Sequence, residues 1–279
     1  MPARTPPTVR LRRLSSRLRR LRETMGLSRE DVAEQTGINP ATLYRIEKAR
    51  VRPQGRTLAA LLTLYGVDDA ERANLTSVLK DAGQRGWLQA YQSELPEEYG
   101  AYIEFEDEAR AIWNYESLFV PGLLQTEAYA RAVINGGMPT LGRDQVEHRV
   151  NVRMQRQDVL TRDLPLHLWA ICDEAALHRV VGGAQVMREQ LLRLAEVAEL
   201  PHVMLQLIPF DAGAHPGMPG SFHVMDFADD PNVVYIDSMA GDLFLEEEPE
   251  IRRYTVLFEH LRAVALSPAA SLELIARRT

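Results

Sequence analysis

Residues 28–50, SREDVAEQTGINPATLYRIEKAR, decide how the first part of the chain folds. Ser28 is a suitable N-cap, and Asp31 follows three residues later, at capping-box spacing, although Asp stands where Glu or Gln is usual. The helix that starts there carries Val32 and Ala33 as small apolar contacts and closes at Gln35 and Thr36. Gly37 suits the left-handed position just past a helix end. Ile38 then reads as the buried residue of a turn. Asn39 is a second N-cap, and Pro40 occupies the first helical position, where a missing N–H costs nothing. The second helix is expected over residues 41–49. Leu43 and Ile46 lie three apart and face inward, while Ala41, Thr42, Arg45 and Lys48 face outward. Two short helices joined this way form a helix-turn-helix, the unit that lays its second helix into the major groove of DNA.

The same spacing would serve an ordinary helical pair, and charge decides between the two. Residues 1–56 hold 14 basic and 5 acidic side chains, a net of +9, whereas the remainder holds 18 against 34, a net of −16. A basic head on an acidic body is what phosphate binding requires of the head alone. The 279 residues suffice for two domains, and 46% hydrophobic with 25% charged residues is ordinary globular composition. No run of 18 apolar residues exists, and no apolar signal core follows the basic N-terminus, so no membrane association is expected. The single cysteine, Cys172, excludes an internal disulfide and a cysteine-held zinc. These features lead us to expect a cytoplasmic, nucleoid-associated protein.

Outward from the central stretch, residues 1–8 carry three prolines and are expected to form a flexible arm. Residues 10–24 place Leu11, Leu14, Leu18 and Leu21 on one helical face, with Arg12, Arg13, Arg17, Arg19, Arg20 and Arg22 on a basic outer side. After a loop at residues 51–55, Thr57 can cap a fourth helix through Tyr65, and a fifth is expected from Asp68 or Asp69 to Ala82. Residues 9–82 therefore predict an all-α five-helix bundle. Residues 83–95, with Trp87 and Tyr91 four apart, suit a linker or docking helix.

Residues 96–279 change character. Helices are expected over residues 96–109, 123–134, 143–162, 184–200 and 250–265, and residues 268–277 finish the chain. Strands are expected over residues 111–120, 166–171, 202–209, 221–227, 233–237 and 243–246. This pattern predicts a mixed α/β (α+β) domain around a partly antiparallel sheet, with the strand order open. The loop 213–220, GAHPGMPG, joins two strands and is long and Gly/Pro-rich, suited to a binding rim or a plain connection. Trp113, Trp169 and Tyr235 suit the core better than a cofactor site.

Leu27-Ser28-Arg29-Glu30-Asp31-Val32-Ala33, Gly37-Ile38 and Thr42-Leu43-Tyr44-Arg45-Ile46-Glu47 closely resemble the Cro/C1-type (XRE-type) helix-turn-helix of phage repressors and many bacterial regulators. The resemblance implies that Asn39, Ala41, Thr42 and Arg45 read bases, that Arg29 stands near a DNA-contacting position, and that Glu47 is structural, tying its helix to the following loop. Residues 119–130 (FVPGLLQTEAYA), 173–177 (DEAAL), 187–191 (MREQL), 208–210 (IPF), 215–217 (HPG), Ser221-Phe222 and 234–237 (VYID) resemble the actinobacterial Scr1-like C-terminal domain of unknown function. That resemblance implies a regulator, in some cases paired with a small protein encoded nearby in a toxin–antitoxin-like arrangement.

Together these readings predict a sequence-specific transcriptional regulator. It would bind double-stranded DNA as a homodimer on a palindromic operator, with Arg17, Arg20, Arg29, Lys48, Arg50 and Arg52 on phosphates. Arg45 and Asn39 have the chemistry for base edges, and the Thr42 methyl can meet thymine. The regulatory domain would sense a small-molecule effector or bind a small protein partner, with Trp113, His215, Met218, Tyr235 and Asp237 marking the region. The alternatives are a toxin–antitoxin-like protein-interaction module and, less favoured, an enzyme using the C-terminal domain. His167, His178, His215, His223, Asp173, Glu174 and Asp237 could supply acid–base groups, but no HExxH, nucleophile elbow or phosphate-binding glycine loop organises them. No catalytic residue, metal or cofactor is therefore expected.

Overall fold

The computed structural model describes residues 9–81, 88, 91, 95–228, 230–238 and 241–278. Two compact units divide the chain, Met1–Ala90 and Tyr91–Thr279. The expected arm at residues 1–8, and most of the joining segment 83–95 including Trp87, lie outside the described residues.

The first unit contains α1 (Val9–Thr24), α2 (Arg29–Thr36), α3 (Pro40–Glu47), α4 (Gly55–Leu64) and α5 (Asp69–Asp81). Ser28 caps α2 in a complete capping box: its hydroxyl accepts the Asp31 N–H, and the Asp31 carboxylate accepts the Ser28 N–H at 2.8 Å. Asp thus does the reciprocal job usually given to Glu. The Ser28 hydroxyl, which also donates to the Asp31 carboxylate at 2.7 Å, and the Ser28 N–H hold that carboxyl below its ordinary range. Gly37 ends α2 at φ 71°, and Asn39 caps α3 by accepting the Ala41 N–H at 2.9 Å. Leu14 and Leu18 of α1, Val32 of α2, Leu43 and Ile46 of α3, Leu58, Leu61 and Leu62 of α4, and Leu75 and Leu79 of α5 close into one core.

Four local expectations are corrected. The second motif helix stops at Glu47 rather than Ala49, because Ala49 takes a left-handed φ of 52° and the Arg50 and Val51 N–H groups turn back onto the Arg45 carbonyl. The fourth helix starts at Gly55, so Thr57 lies inside its first turn instead of capping it. Arg22 does not belong to the basic outer side of α1. It is only 7% exposed and forks onto the buried Glu47 carboxylate, at 2.6 Å from Nε and 3.3 Å from Nη2. Glu47 is structural, but it ties α3 to α1 and α2 through Arg22 and Arg29, not to the following loop.

The second unit is a six-stranded mixed sheet of order β3-β2-β1-β4-β5-β6, flanked by helices. Its strands are β1 (Ala111–Glu116), β2 (His167–Asp173), β3 (Val203–Ile208), β4 (Phe222–Asp226), β5 (Val233–Ile236) and β6 (Leu243–Leu245). β1 pairs in parallel with β2, and β2 with β3, while β4, β5 and β6 continue antiparallel from the other edge of β1. The helices are α6 (Glu97–Glu108), α7 (Glu127–Gly137), α8 (Arg143–Gln155), the one-turn α9 (Ala175–His178), α10 (Ala184–Val197), α11 (Glu248–Val264) and α12 (Pro268–Ala276).

Strand alternation sorts the core into two layers. Trp113, Tyr115, Ile171, Phe222, Val224 and Val234 face α11, which contributes Tyr254, Phe258 and Leu261. The opposite face carries Tyr235, which stacks on Tyr102 of α6 at 4.2 Å between ring centroids. The segment between α11 and α12, together with the start of α12, shields the outer strand: Leu266 N–H donates to the Leu207 carbonyl at 2.8 Å, and the buried Ser271 hydroxyl of α12 accepts the Leu207 N–H at 3.0 Å. This covers hydrogen-bonding groups of β3 that an open edge would leave to a foreign strand.

Three boundaries again differ from expectation. The first strand ends at Glu116, where the Ser117 N–H turns to the Ser221 hydroxyl at 3.1 Å. The next helix begins at Glu127 with Thr126 as its cap, after a 3-10 turn at Gly122–Leu124. The long helix from Arg143 tightens to 3-10 at Arg156–Leu160, where Arg156 turns inward onto Glu106.

The charge at Glu47 makes the first unit testable. Glu47→Gln leaves the buried Arg22 guanidinium only the exposed Glu23 carboxylate at 3.3 Å, and breaking a buried pair from one side costs about 3–5 kcal/mol. Urea unfolding of the full chain should show the first unit's transition lowered by that amount. A loss below about 1 kcal/mol would mean that the pair behaves like a surface one.

Candidate functional site

The outward side of α3 assembles the expected base readers within one turn. Arg45 lies back along its own helix, its Nε donating to the Ala41 carbonyl at 3.2 Å and its Nη2 to the Thr42 hydroxyl at 3.3 Å. Ala41 and Arg45 are exposed and Thr42 is half-buried. Asn39 is exposed, but its amide oxygen is engaged in capping, so its amide nitrogen is the end left to face outward. The bonds that hold Arg45 are weak ones to its own helix, so its guanidinium can swing outward at small cost.

The six expected phosphate contacts fall into different environments. Arg17 is ion-paired with Glu71 of α5, its Nε 2.6 Å from the carboxylate. Arg20 is half-buried on α1. Arg29 donates to Glu47 at 2.8 Å, and Arg52 donates to the Leu79 carbonyl. Lys48 and Arg50 are exposed at the C-terminal end of α3. Tyr44 was not among the expected site residues. It is 37% exposed on α3, and the guanidinium carbons of Arg29 and Arg50 lie 5.3 Å and 5.7 Å from its ring centroid. Arginine beside an aromatic face gains from both cation–π attraction and stacking. The sequence signal was available: Tyr44 lies one residue before Arg45 on a helix whose buried positions are Leu43 and Ile46.

In the second unit the five expected region residues do not come together. Trp113 lies under α11, stacked with Phe258 at 6.1 Å. Tyr235 lies beneath α6 on the opposite face. Asp237 is exposed just past β5. Near it, burial and the Asp237 charge raise the Asp242 carboxyl above its ordinary range. Met218 is 66% exposed at the tip of its loop. Tyr235 and Asp237 both hydrogen-bond to Asp242, whereas His215 makes its contacts within its own loop and to β2. Its Nδ1 accepts the Gly217 N–H at 3.3 Å, which leaves Nε2 to carry the proton toward Asp173 at 3.2 Å.

That contact seats the loop 213–220 on the sheet. Gly217 lies flat against Tyr115, so a Cβ there would fall 2.5 Å from the Tyr115 Cζ. Tyr115 is fully buried, its hydroxyl has no hydrogen-bond partner, and burial holds that hydroxyl protonated far above the phenol range. Burial likewise pushes up the adjacent Cys172 thiol, which keeps it from acting as a thiolate nucleophile. Among the described residues, no group of three or more His, Cys, Asp or Glu side chains is placed to hold a metal ion.

The opposite face holds a second polar cluster that sequence reasoning did not single out. Arg156 forks onto Glu106 at 2.7 Å and 2.8 Å, both residues being buried, and also donates to the Tyr99 and Tyr102 hydroxyls at 2.6 Å and 3.1 Å. Burial pushes the Tyr99 hydroxyl up, yet Arg156 and Arg153 outweigh it and hold that group below the ordinary phenol range. On β1 and β4, Asn114 reaches Glu116 at 3.3 Å and His223 at 3.4 Å. No residue spacing announces this cluster, because its members come from α6, α8, β1, β4 and the turns between them.

Residues 99–277 match the family described as a domain of unknown function, DUF5753. The chain belongs to that family. Residues 13–75 match the family described as a helix-turn-helix domain. No curated protein and no solved structure matches the chain. The first unit is thus a helix-turn-helix domain, the element of a DNA-binding regulator, with α3 in the recognition position. No helix of the described residues is long and apolar enough to cross a membrane.

The seating of the loop yields a stability prediction. Tyr115→Phe removes a buried hydroxyl that has no partner, and should raise the second unit's stability by about 1 kcal/mol. Gly217→Ala forces the loop off the ring and should lower it by about 1–3 kcal/mol. Chemical unfolding of the full chain, read by near-ultraviolet circular dichroism, tests both. Destabilisation by Tyr115→Phe would mean that the hydroxyl has a partner in solution.

Proposed function

We propose that this chain is a Cro/C1-type (XRE-type) transcriptional regulator that binds a palindromic operator in double-stranded DNA as a homodimer. Its second unit is of the Scr1-like kind and acts as the regulatory part, answering a small-molecule effector or a small protein partner encoded nearby. The protein works in the cytoplasm on the nucleoid and performs no catalytic step of its own. The observation that carries the reading is the outward side of α3, where Ala41, Thr42 and Arg45 lie together with the exposed Lys48 and Arg50 on the same short helix and its end.

Arg45 supplies the guanidinium fork that suits guanine O6 and N7, and Thr42 supplies a methyl group for thymine. Lys48 and Arg50 supply the backbone term, with Arg29 and Tyr44 setting the position of the Arg50 side. Arg17 and Arg29 contribute less than their formal charges suggest, since each already faces a carboxylate. A two-fold arrangement of two such units reads half-sites about one helical turn apart.

Genome-wide DNA pull-down with the full chain, followed by binding to the recovered sequence, tests this reading. A palindrome is expected. Arg45→Ala should lower its affinity by about 1–3 kcal/mol while leaving nonspecific DNA binding nearly unchanged. Lys48→Ala and Arg50→Ala should weaken all sequences alike and reduce the slope of log affinity against log salt by about 0.9 each. Absence of any common sequence, with Arg45→Ala neutral, would overturn the proposal.

A further inference from the structure

Among the described residues of the second unit, Arg149 and Arg153 on α8 are half-buried arginines that form no ion pair. The only polar partners of the Arg153 side chain are neutral. Its Nη1 donates to the Gln125 amide oxygen at 3.0 Å, and the Tyr99 hydroxyl is its other hydrogen-bond partner. Its Nε is buried and donates to nothing. One turn earlier on the same helix face, the Arg149 Nε is also buried and without a partner. The contrast with Arg156 is informative. Arg156 is buried deeper, and its guanidinium is fully engaged by Glu106, Tyr99 and Tyr102. The fold therefore supplies a carboxylate where it needs one and leaves the two neighbouring arginines without one. A buried or half-buried guanidinium with undirected N–H groups is costly unless an acceptor completes it.

Topology adds a second observation. The chain leaves β1 toward β2 and β3 on one side and returns through β4 on the other, so the strand order reverses between β1 and β4. Open sheets with parallel strands bind ligands outside the carboxyl ends of those strands, at that reversal. The segment leaving the carboxyl end of β1 forms the 3-10 turn at Gly122–Leu124. The Gly122 backbone passes beside both arginines: a Cβ there would meet Arg153 Cδ at 3.6 Å and Arg156 Nη2 at 3.5 Å, ordinary van der Waals contact. The buried Gln125 fixes the same turn, donating to the Val120 carbonyl at 2.7 Å while accepting from Arg153.

We propose that Arg149 and Arg153, with the Gly122–Gln125 turn and the Tyr99 hydroxyl, form a subsite for the oxyanion of a small molecule, a carboxylate or a phosphate group. The subsite deepens the reading of the second unit as a sensor, but binding itself does not depend on that reading. Guanidinium forks match both oxyanions, and their Nε–H groups are among the donors used in side-on pairing.

The test uses the full chain and two probes, inorganic phosphate and citrate, titrated at constant ionic strength against chloride. Arginine Nε–Hε resonances report the binding directly. Saturable shifts of the Arg149 and Arg153 signals are expected with at least one probe, and which probe saturates distinguishes phosphate from carboxylate. Arg153→Gln and Arg149→Gln should each weaken the apparent affinity at least ten-fold. Arg188→Gln, at an exposed position on α10, should leave it unchanged. Far-ultraviolet circular dichroism checks that the variants fold, and Arg153→Lys gives a charge-preserving comparison that loses the fork. Shifts that chloride reproduces, no saturation with either probe, or affinities unmoved in both glutamine variants would overturn the proposal. Operator binding by the wild type is measured in the same samples. Saturation without any change in DNA affinity would leave the subsite standing and remove its sensor role, while operator binding without saturation would overturn the subsite and leave the DNA-binding reading standing.

Discussion

The carboxylate of Glu47 is the point on which the first unit depends. It is the last residue of α3, and it accepts hydrogen bonds from Arg22 on α1 and Arg29 on α2. Arg22 also donates to the Leu27 carbonyl at 2.8 Å, which ties α1 to the chain entering α2. Apolar contacts among Leu18, Val32, Leu43 and Ile46 hold these helices together but tolerate small slides and rotations. A guanidinium fork on a carboxylate tolerates far less. The ion pairs therefore fix the rotation of α3 about its axis, and with it the direction in which Ala41, Thr42 and Arg45 face. Burying these charges is expensive, and a well-packed apolar trio could be as stable. What the charged trio supplies in this protein is a defined orientation of the one helix whose outward face carries chemistry.

The second unit solves a different problem. A sheet half parallel and half antiparallel must cover both faces and both edges with a limited number of helices. α11 covers one face with aromatic and aliphatic side chains, whereas α6 covers the other with tyrosines, Phe105 and the Glu106–Arg156 pair. The apolar face has little room for chemistry beyond the seated loop at His215 and Tyr115. The α6 face is where polar side chains from five elements converge, and the sheet's reversal between β1 and β4 directs the chain to that region. Position in the fold and side-chain chemistry therefore agree on which face gathers the polar groups.

The sequence made the helix-turn-helix legible because its signals are local. Ser28, Gly37 and Asn39 act through bonds to residues two to four positions away, Pro40 acts by its fixed φ at the first helical position, and each does in the structure what its type suggests. The order of elements in the second unit was legible from alternation and amphipathic spacing, and its mixed character followed. What local patterns could not carry were long-range choices. Arg22 sits among outward arginines in sequence, yet a partner 25 residues away turns it inward. Arg156 ends its α-helix early because Glu106, 50 residues away, engages it. Trp113 and Tyr235 look alike as aromatic strand residues, and only the pairing register places them on opposite faces. The left-handed Ala49 gave no warning, since alanine has no preference for that conformation and the helix seemed free to continue.

Charge shows most clearly how a count along the sequence differs from a folded surface. The net of +9 belongs to residues 1–56, but the described part of the first unit runs on through α5. Residues 57–81 add two basic and four acidic side chains, which brings residues 1–81 to +7. Of the arginines, Arg17 is then spent on Glu71, and Arg22 and Arg29 share Glu47. The basic head thus performs two functions with one residue type. Arginines near the helix contacts hold the bundle, and those at the end of α3 remain exposed for a polyanion. Phosphate affinity follows from exposed cations and their field, not from formal charge alone. The salt dependence of DNA binding should accordingly be shallower than the arginine count of α1 suggests, because internal pairing removes part of that charge before DNA arrives.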